Sequence, residues 1–432
     1  MIRKRSLYKM RAIAFSILIT FNYESVSGQN NSINYEESKV PSYKLPDPLS
    51  APNGKKIMSP LQWTKMQRPY MMQMMQNYVY GKFPGKPKGM RFQINSIDSS
   101  ALNGLAIRKT ITIFFSSVDD RSKMEVLLYL PKDIKTRVPV FTGLNFCGNQ
   151  CIISEPGISL STQWMANSND QNVINNRATE KTRGLQAKRW PVEDIIKRGY
   201  GLATAYYGDL EPDHAEGWKT GIRSTLKSEL KINEKEWSAI GAWAWGLSRM
   251  VDYLQTDAAV NAKQIILTGH SRLGKAALWA GAQDTRFAMV ISNNSGEGGA
   301  ALARRWYGET IETMNKQFPH WFVANFKKYH NKVNELPVDQ HILLSLIAPR
   351  PLYIASAEDD KWADPKGEFL GAKNAEPVYA LFGKKGLTVN DMPPVNTPVG
   401  ETIRYHIRTG KHDITLYDWQ QYLDFADKYF KK

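Results

Sequence analysis

Apolar positions recur along this chain with two different periods, and segments of the two kinds take turns. Residues Gln62–Tyr80 carry Met and Tyr at helical spacing and predict a helix. Arg108–Phe115 and Met124–Leu130 alternate residue by residue, as strands do when one side faces a core. Further along, strand and helix follow one another. Val138–Phe146 and Gly201–Tyr206 are apolar enough for buried strands, and Trp237–Leu254 reads as an amphipathic helix. The strand Gln264–Thr268 leads into a helix of small residues at Gly274–Ala282. Phe287–Ser292, Pro351–Ser356 and Ile403–Ile407 are short apolar strands, and Tyr417–Phe430 closes the chain as a helix. Strands alternating with helices imply an α/β protein with a mostly parallel sheet covered on both faces.

Two stretches fall outside this pattern. Residues 29–60 are polar and dotted with Pro, which suits an extended arm over the surface of one catalytic domain spanning 61–432. Residues 153–189 are polar and read as an inserted loop region near the strand ends, where sites form in open α/β sheets. No internal repeat is visible.

The strongest chemical signal is ILTGHSRLGKAALWAGA. A buried strand runs into Gly269-His270-Ser271-Arg272-Leu273-Gly274-Lys275 and then into a helix. A strand-to-helix elbow holds a nucleophile on a tight turn and exposes its oxygen. The backbone N–H after the serine can then face a developing oxyanion, helped by the helix N-terminus. The second glycine comes one residue later than in G-x-S-x-G, and a serine that merely caps a helix is the alternative. Partners follow in the order serine, acid, histidine that hydrolases of this kind use. Carboxylates occupy Glu358, Asp359, Asp360 and Asp364, just past the strand ending at Ser356, and His412 follows the last strand.

The start of the chain changes the picture of where it works. Arg3, Lys4, Arg5, Lys9 and Arg11 precede the apolar run Ala12–Phe21, and small residues follow at Ser25, Ser27 and Gly28. This is the pattern of an export signal over residues 1–28, with an uncleaved anchor as the alternative. The segment holds five basic residues and one acidic one, so removing it takes the net charge from +16 to +12. That charge is dispersed rather than gathered in a stripe, which argues against nucleic acid and suits an acidic polysaccharide. A secreted or periplasmic protein with no stable membrane insertion after cleavage is expected. The two cysteines, Cys147 and Cys151, are too few for a metal site and read as loop residues open to bridging.

The elbow GHSRLGK, the following SGEGGAALARRWYGETI, the segment DDKWADP and the late GKHDIT together resemble the glucuronoyl esterases, carbohydrate esterase family 15. STQWM at Ser161–Met165, NNRATEKTRG at Asn175–Gly184 and RGYGLATAYYGD at Arg198–Asp209 extend the resemblance, which runs from about Pro139 onward and is close to bacterial members. It implies an α/β-hydrolase fold, a three-layer αβα sandwich, and cleavage of the ester between 4-O-methyl-glucuronic acid on xylan and lignin alcohols. No cofactor or metal is implied. By the same resemblance Ser271 is the nucleophile, His412 the base and Arg272 an oxyanion donor, while Lys275, Glu309 and Trp362 hold the glucuronate. In fungal members the acid stands in a segment read E-S-G-x-G-G. Here Asn294 takes that position, Glu297 is three residues out of register, and Asp360 matches the later acid of bacterial members. Glucuronoxylan or a lignin–carbohydrate ester is the expected substrate. The competing readings are an acetylxylan or other small-acyl esterase on the same fold and a non-catalytic carbohydrate-binding relative.

Overall fold

Ten strands form one sheet in the order β1-β2-β3-β5-β4-β6-β7-β8-β10-β9 in this computed structural model, which describes residues 33–431 apart from Ile134. The strands are β1 (Arg91–Ala101), β2 (Ala106–Phe114), β3 (Lys123–Pro131), β4 (Val138–Asn145), β5 (Gly201–Tyr206), β6 (Val260–His270), β7 (Phe287–Asn293), β8 (Leu352–Ala357), β9 (Val399–Gly400) and β10 (Ile403–Arg408). Strands β5, β4, β6, β7, β8 and β10 run parallel, while β1–β3 and β9 add antiparallel edges. The main helices are α1 (residues 60–80), α2 (Val192–Lys197), α3 (Ala239–Leu254), α4 (Arg272–Gln283), α5 (Ile311–Gln317), α6 (Gln340–Ser345), α7 (Pro365–Leu381) and α8 (Leu416–Phe430). The export segment expected over residues 1–28 lies outside the described residues. Among the described residues no helix is long and apolar enough to cross a membrane.

The sheet separates two apolar cores. On one face α1, α3, α4, α6 and α7 bury Trp63, Trp243, Trp279, Leu344 and Phe369. On the other α2 and α8 bury Ile195, Trp419, Tyr422 and Phe425. This is the three-layer arrangement that buried parallel strands require.

Helix α3 corrects one expectation. Its apolar residues keep to one side as the pattern predicts, but no face is left to solvent: all sixteen residues are buried. It lies under the sheet while other segments close over its outer side. Its polar groups find partners there: Trp243 Nε1 donates to the Glu211 carbonyl (3.0 Å), Trp245 Nε1 to the Pro84 carbonyl (3.1 Å), and Arg249 pairs with Asp252 (2.6 Å). Its start is capped by Ser238, whose Oγ accepts from Gly241 N–H (3.1 Å). Helix α1 is wound as α turns interrupted by two π turns, at Trp63–Gln67 and Gln76–Tyr80.

The described part of the N-terminal arm is irregular and packs on the same compact unit as the sheet. His341 on α6 bonds the Pro46 carbonyl (2.8 Å), and Gln67 on α1 donates to the carbonyls of Pro48 and Ser50 (both 2.9 Å). The stretch 153–189 forms only bends, bridges and single 3₁₀ turns, joined to the sheet side by the Cys147–Cys151 disulfide loop.

Candidate active site

Four loops leave the same end of the parallel sheet, and the strand register brings them level. His270 pairs with Asn293, Asn293 with Ala355, and Ala357 with Arg408. The residues just after these positions therefore face one another across the rim, where sites form in such sheets.

Ser271 stands at the turn from β6 to α4 with φ 56°, a left-handed conformation that costs a non-glycine residue free energy and is held by its surroundings. Its N–H donates to the Asn293 carbonyl (2.9 Å), and its carbonyl accepts from Gly274 (2.8 Å) and Lys275 (3.1 Å) N–H groups. Gly269 is required because a Cβ there would lie 2.1 Å from the Leu273 carbonyl oxygen. Gly274 is the other half of that contact, since a Cβ there would lie 3.1 Å from the Gly269 carbonyl oxygen, which gives the displaced second glycine of the motif its physical reason.

Ser271, Arg272 and His412 line one cleft of about 290 Å³. His412 Nδ1 pairs with Asp360 Oδ2 at 2.6 Å, which leaves Nε2 as the ring nitrogen available to the serine. Asp360, after β8, is buried, and the same Oδ2 accepts a second bond from Asn294 Nδ2 (2.7 Å). Asn294 thus donates to the acid. Glu297 does not approach His412: its Oε1 accepts from Gly298 N–H (3.1 Å), and burial together with the Asp339 charge pushes its carboxyl well up.

Arg272 begins α4, where N–H groups have no intrahelical acceptor. Its guanidinium is gripped at Nη1 by Asp213 and lies over the rings of Trp321 (4.7 Å) and Phe318 (5.1 Å), while Nε is buried without a partner. Asp213 Oδ1 accepts from His320 Nε2 (2.7 Å) and Trp321 Nε1 (2.8 Å), and Oδ2 also from the Tyr207 hydroxyl (3.2 Å). Burial alone would raise this carboxyl, but the His320 hydrogen bond and the Arg272 charge hold it down at about 2.

Lys275, one helical turn beyond Ser271, is buried, and its Nζ donates to Glu309 Oε2 (2.9 Å) and to the Glu297 carbonyl. Glu309 N–H donates to the Trp362 carbonyl (2.8 Å), so Lys275, Glu309 and Trp362 form one cluster on the α4 side of the serine. They do not line the cleft that His412 shares with Ser271. Among the described residues no group of His, Cys, Asp and Glu is arranged to hold a metal ion.

Sequence reasoning missed Asp213, His320, Trp321 and His270. A carboxylate in the loop after the strand Gly201–Tyr206 was a usable signal for Asp213. His270 Nδ1 pairs with Asn293 Oδ1 (2.6 Å), and its ring lies 4.7 Å from that of His412. Burial and the neighbouring His412 push its imidazole well below the ordinary range, so it stays neutral.

Comparison with known proteins gives a consistent set of relatives. Residues 229–383 match the family described as glucuronyl esterase, fungi. A carbohydrate esterase named MZ0003, from an unknown prokaryotic organism, is 46% identical over 404 residues, covering 93% of each chain. The solved glucuronoyl esterase from Solibacter usitatus superposes with a TM-score of 0.85 at 50% identity, covering 90% of this chain and 99% of that one. A promiscuous esterase of carbohydrate esterase family 15 from a marine bacterial metagenome does so with a TM-score of 0.86 at 46% identity, covering 92% and 99%.

Proposed function

Since this chain belongs to the glucuronoyl esterases, carbohydrate esterase family 15, we propose that it cleaves the ester joining 4-O-methyl-glucuronic acid on glucuronoxylan to lignin alcohols. Ser271 Oγ attacks the uronate carbonyl as His412 Nε2 takes its proton. Asp360 holds the imidazole tautomer and stabilises the imidazolium. The oxyanion meets the Arg272 N–H at the start of α4 and the partly exposed Arg272 guanidinium, and one such donor lowers the barrier by roughly 3 kcal/mol. His412 returns the proton to the departing alcohol, and water then releases the free uronic acid by the same steps in reverse order.

The observation that carries this reading is the buried Lys275–Glu309 pair one helical turn from the nucleophile. An ammonium has three donors, and two of these are used within the chain; a carboxylate has further acceptor sites beyond the one that Lys275 fills. Spare donors and acceptors one turn of α4 past the nucleophile, outside the Ser271–His412 cleft itself, suit the hydroxyls of a sugar that extends beyond the acyl carbon. An acetyl group would need only a small apolar pocket. Benzyl glucuronate should therefore be turned over far better than aryl acetate or methyl galacturonate. Ser271→Ala should abolish turnover, and Glu309→Ala should weaken glucuronate esters far more than aryl acetate. Equal losses on both substrates, or a preference for acetate, would move the assignment to a small-acyl esterase.

The Cys147–Cys151 disulfide and the basic, then apolar start of the chain support action after export, secreted or periplasmic. N-terminal sequencing of the exported protein tests this by locating a cut near Gly28.

A further inference from the structure

A second cavity, of about 370 Å³, exceeds the one of about 290 Å³ at Ser271 and opens on the same rim of the sheet. Its wall comes from Asn95 and Thr110 in the middle of β1 and β2, from the first half of β3, from the end of β5 and from the loop 158–163. Two strands, β5 and β4, lie between its floor on β3 and the nucleophile after β6, so the distance is three strand spacings, roughly 14 Å. One sugar held at Ser271 cannot reach it.

The two cavities are neighbours. Tyr206 lines both, and its hydroxyl donates to the Trp164 carbonyl (2.9 Å). That bond pins the segment Ser161–Met165 as a ridge: Ser161 and Gln163 face the groove and Met165 faces the catalytic cleft. The floor is aliphatic, from Leu127, Ile158 and Leu160, and Tyr206 is the one aromatic residue in the lining. Hydrogen-bonding groups stand around it. Lys123 lies 3.6 Å from Glu125, so their charges offset. Asp209 Oδ2 accepts from Glu125 N–H (2.9 Å), and among the described residues its other oxygen has no hydrogen-bond partner. Burial pushes this carboxyl up to about 8, so near neutral pH it is an uncharged group able to donate as well as accept.

We infer that this groove is a subsite for the neutral, hydroxyl-rich sugar chain that carries the esterified uronate, its pentose residues crossing the Ser161–Met165 ridge from the catalytic cleft. A uronate would meet no net positive charge here, and an aromatic alcohol would find little ring surface to stack on. A neutral polyol meets both donors and acceptors above an apolar floor. The subsite deepens the esterase reading above and rests on it for the identity of the chain.

The probe is xylohexaose, which carries no ester and can be titrated calorimetrically into the full wild-type chain. Asn95 is exposed on the edge strand β1, where a large side chain is tolerated, so Asn95→Trp fills the groove mouth without disturbing the core. Saturable xylohexaose binding by the wild type, abolished by Asn95→Trp and weakened by Asp209→Ala, is expected. Asn95→Trp should also lower kcat/KM for a glucuronate ester borne on a xylo-oligosaccharide by about tenfold relative to benzyl glucuronate. Absence of binding by the wild type, or binding that Asn95→Trp leaves intact, would overturn the inference. If xylohexaose binds and is blocked while benzyl glucuronate is never hydrolysed, the subsite stands and the esterase reading falls.

Discussion

Asp360 takes two hydrogen bonds on one oxygen, from His412 and from Asn294, and the second gives the asparagine at position 294 its physical reason. A second carboxylate there would repel Asp360, whereas an amide donates to it and stops it rotating. Asp360→Asn would set an amide against two donors and remove the charge that stabilises imidazolium. Turnover of benzyl glucuronate should fall by about 10⁴. Asn294→Ala removes one donor to a buried carboxylate and should cost far less; a larger loss there than at Asp360 would mean that the acid is misassigned. Asp213 presents a different case, because all four of its partners, Arg272, His320, Trp321 and Tyr207, are donors. Only a carboxylate satisfies that set, and its effect should reach the substrate through Arg272 alone. In a double-mutant cycle Asp213→Ala should lower kcat with little change in KM, and should cost nothing further once Arg272 is Ala. Additive losses would show that Asp213 supports the fold rather than the guanidinium.

At the scale of elements, the elbow shows how tightly local sequence and chemistry are tied. Gly269→Ala forces a Cβ against backbone at 2.1 Å, so the strand-to-helix turn must open. It should lower Tm and remove activity together, whereas Gly274→Ala, with neighbours at 3.1 Å, should do less of both by thermal melting and assay. Elements with strong apolar periodicity were readable in advance: Gly201–Tyr206 has the same bounds in sequence and structure, and β7, β8 and β10 differ by a residue or so. Strand β6 begins four residues earlier than its apolar core, because Val260 pairs with Val138 ahead of a register shift and residues 261–263, partly exposed, break the apolar run between them. Strand β1 escaped notice since it is an exposed edge, mostly solvated on both sides, and burial leaves no alternation in its sequence. Helix α7 escaped as well. Its small residues let it pack closely, with Gly371 against the Ala300 carbonyl, and Pro377 sits inside it, so neither periodicity nor propensity marked it. For α3 the reverse held: the pattern declared a helix, but the cover over its outer side comes from distant segments that periodicity cannot see.

Across the whole molecule, the arm is where distant sequence meets the Lys275–Glu309–Trp362 cluster. Resemblance put Glu309 and Trp362 together, but nothing in the sequence joined them to residues 34–39, because that contact spans some 270 positions. The Asn34 carbonyl accepts from Gly308 N–H (2.8 Å), and Asn34 Nδ2 donates to the Trp306 carbonyl (3.3 Å). Tyr35 sets its ring edge-on to Tyr307 (6.3 Å). Glu37 bonds Arg305 (2.7 Å) and Lys366 (2.9 Å), and those two charges pull its carboxyl below the usual range against the effect of burial. These contacts flank the turn Gly308–Glu309, whose other side rests on the Trp362 carbonyl. The arm thus clamps the loop that sets Glu309 against Lys275. A chain beginning at residue 40 should fold, since Pro46, Pro48 and Ser50 still anchor the rest of the arm to α6 and α1. Without its clamp the Glu309 loop should sample other positions, and the cost should fall on KM for glucuronate esters. Hydrolysis of aryl acetate, which has no sugar to hold, should change less, because the arm makes none of the hydrogen bonds of Asp360 and reaches it only through the nearby Tyr35 hydroxyl. Losing a few hydrogen bonds, each worth about 1 kcal/mol net, should raise KM several-fold to tens of fold. A truncated chain whose KM for benzyl glucuronate matches the full chain would show that the loop holds itself, and that the arm serves stability alone.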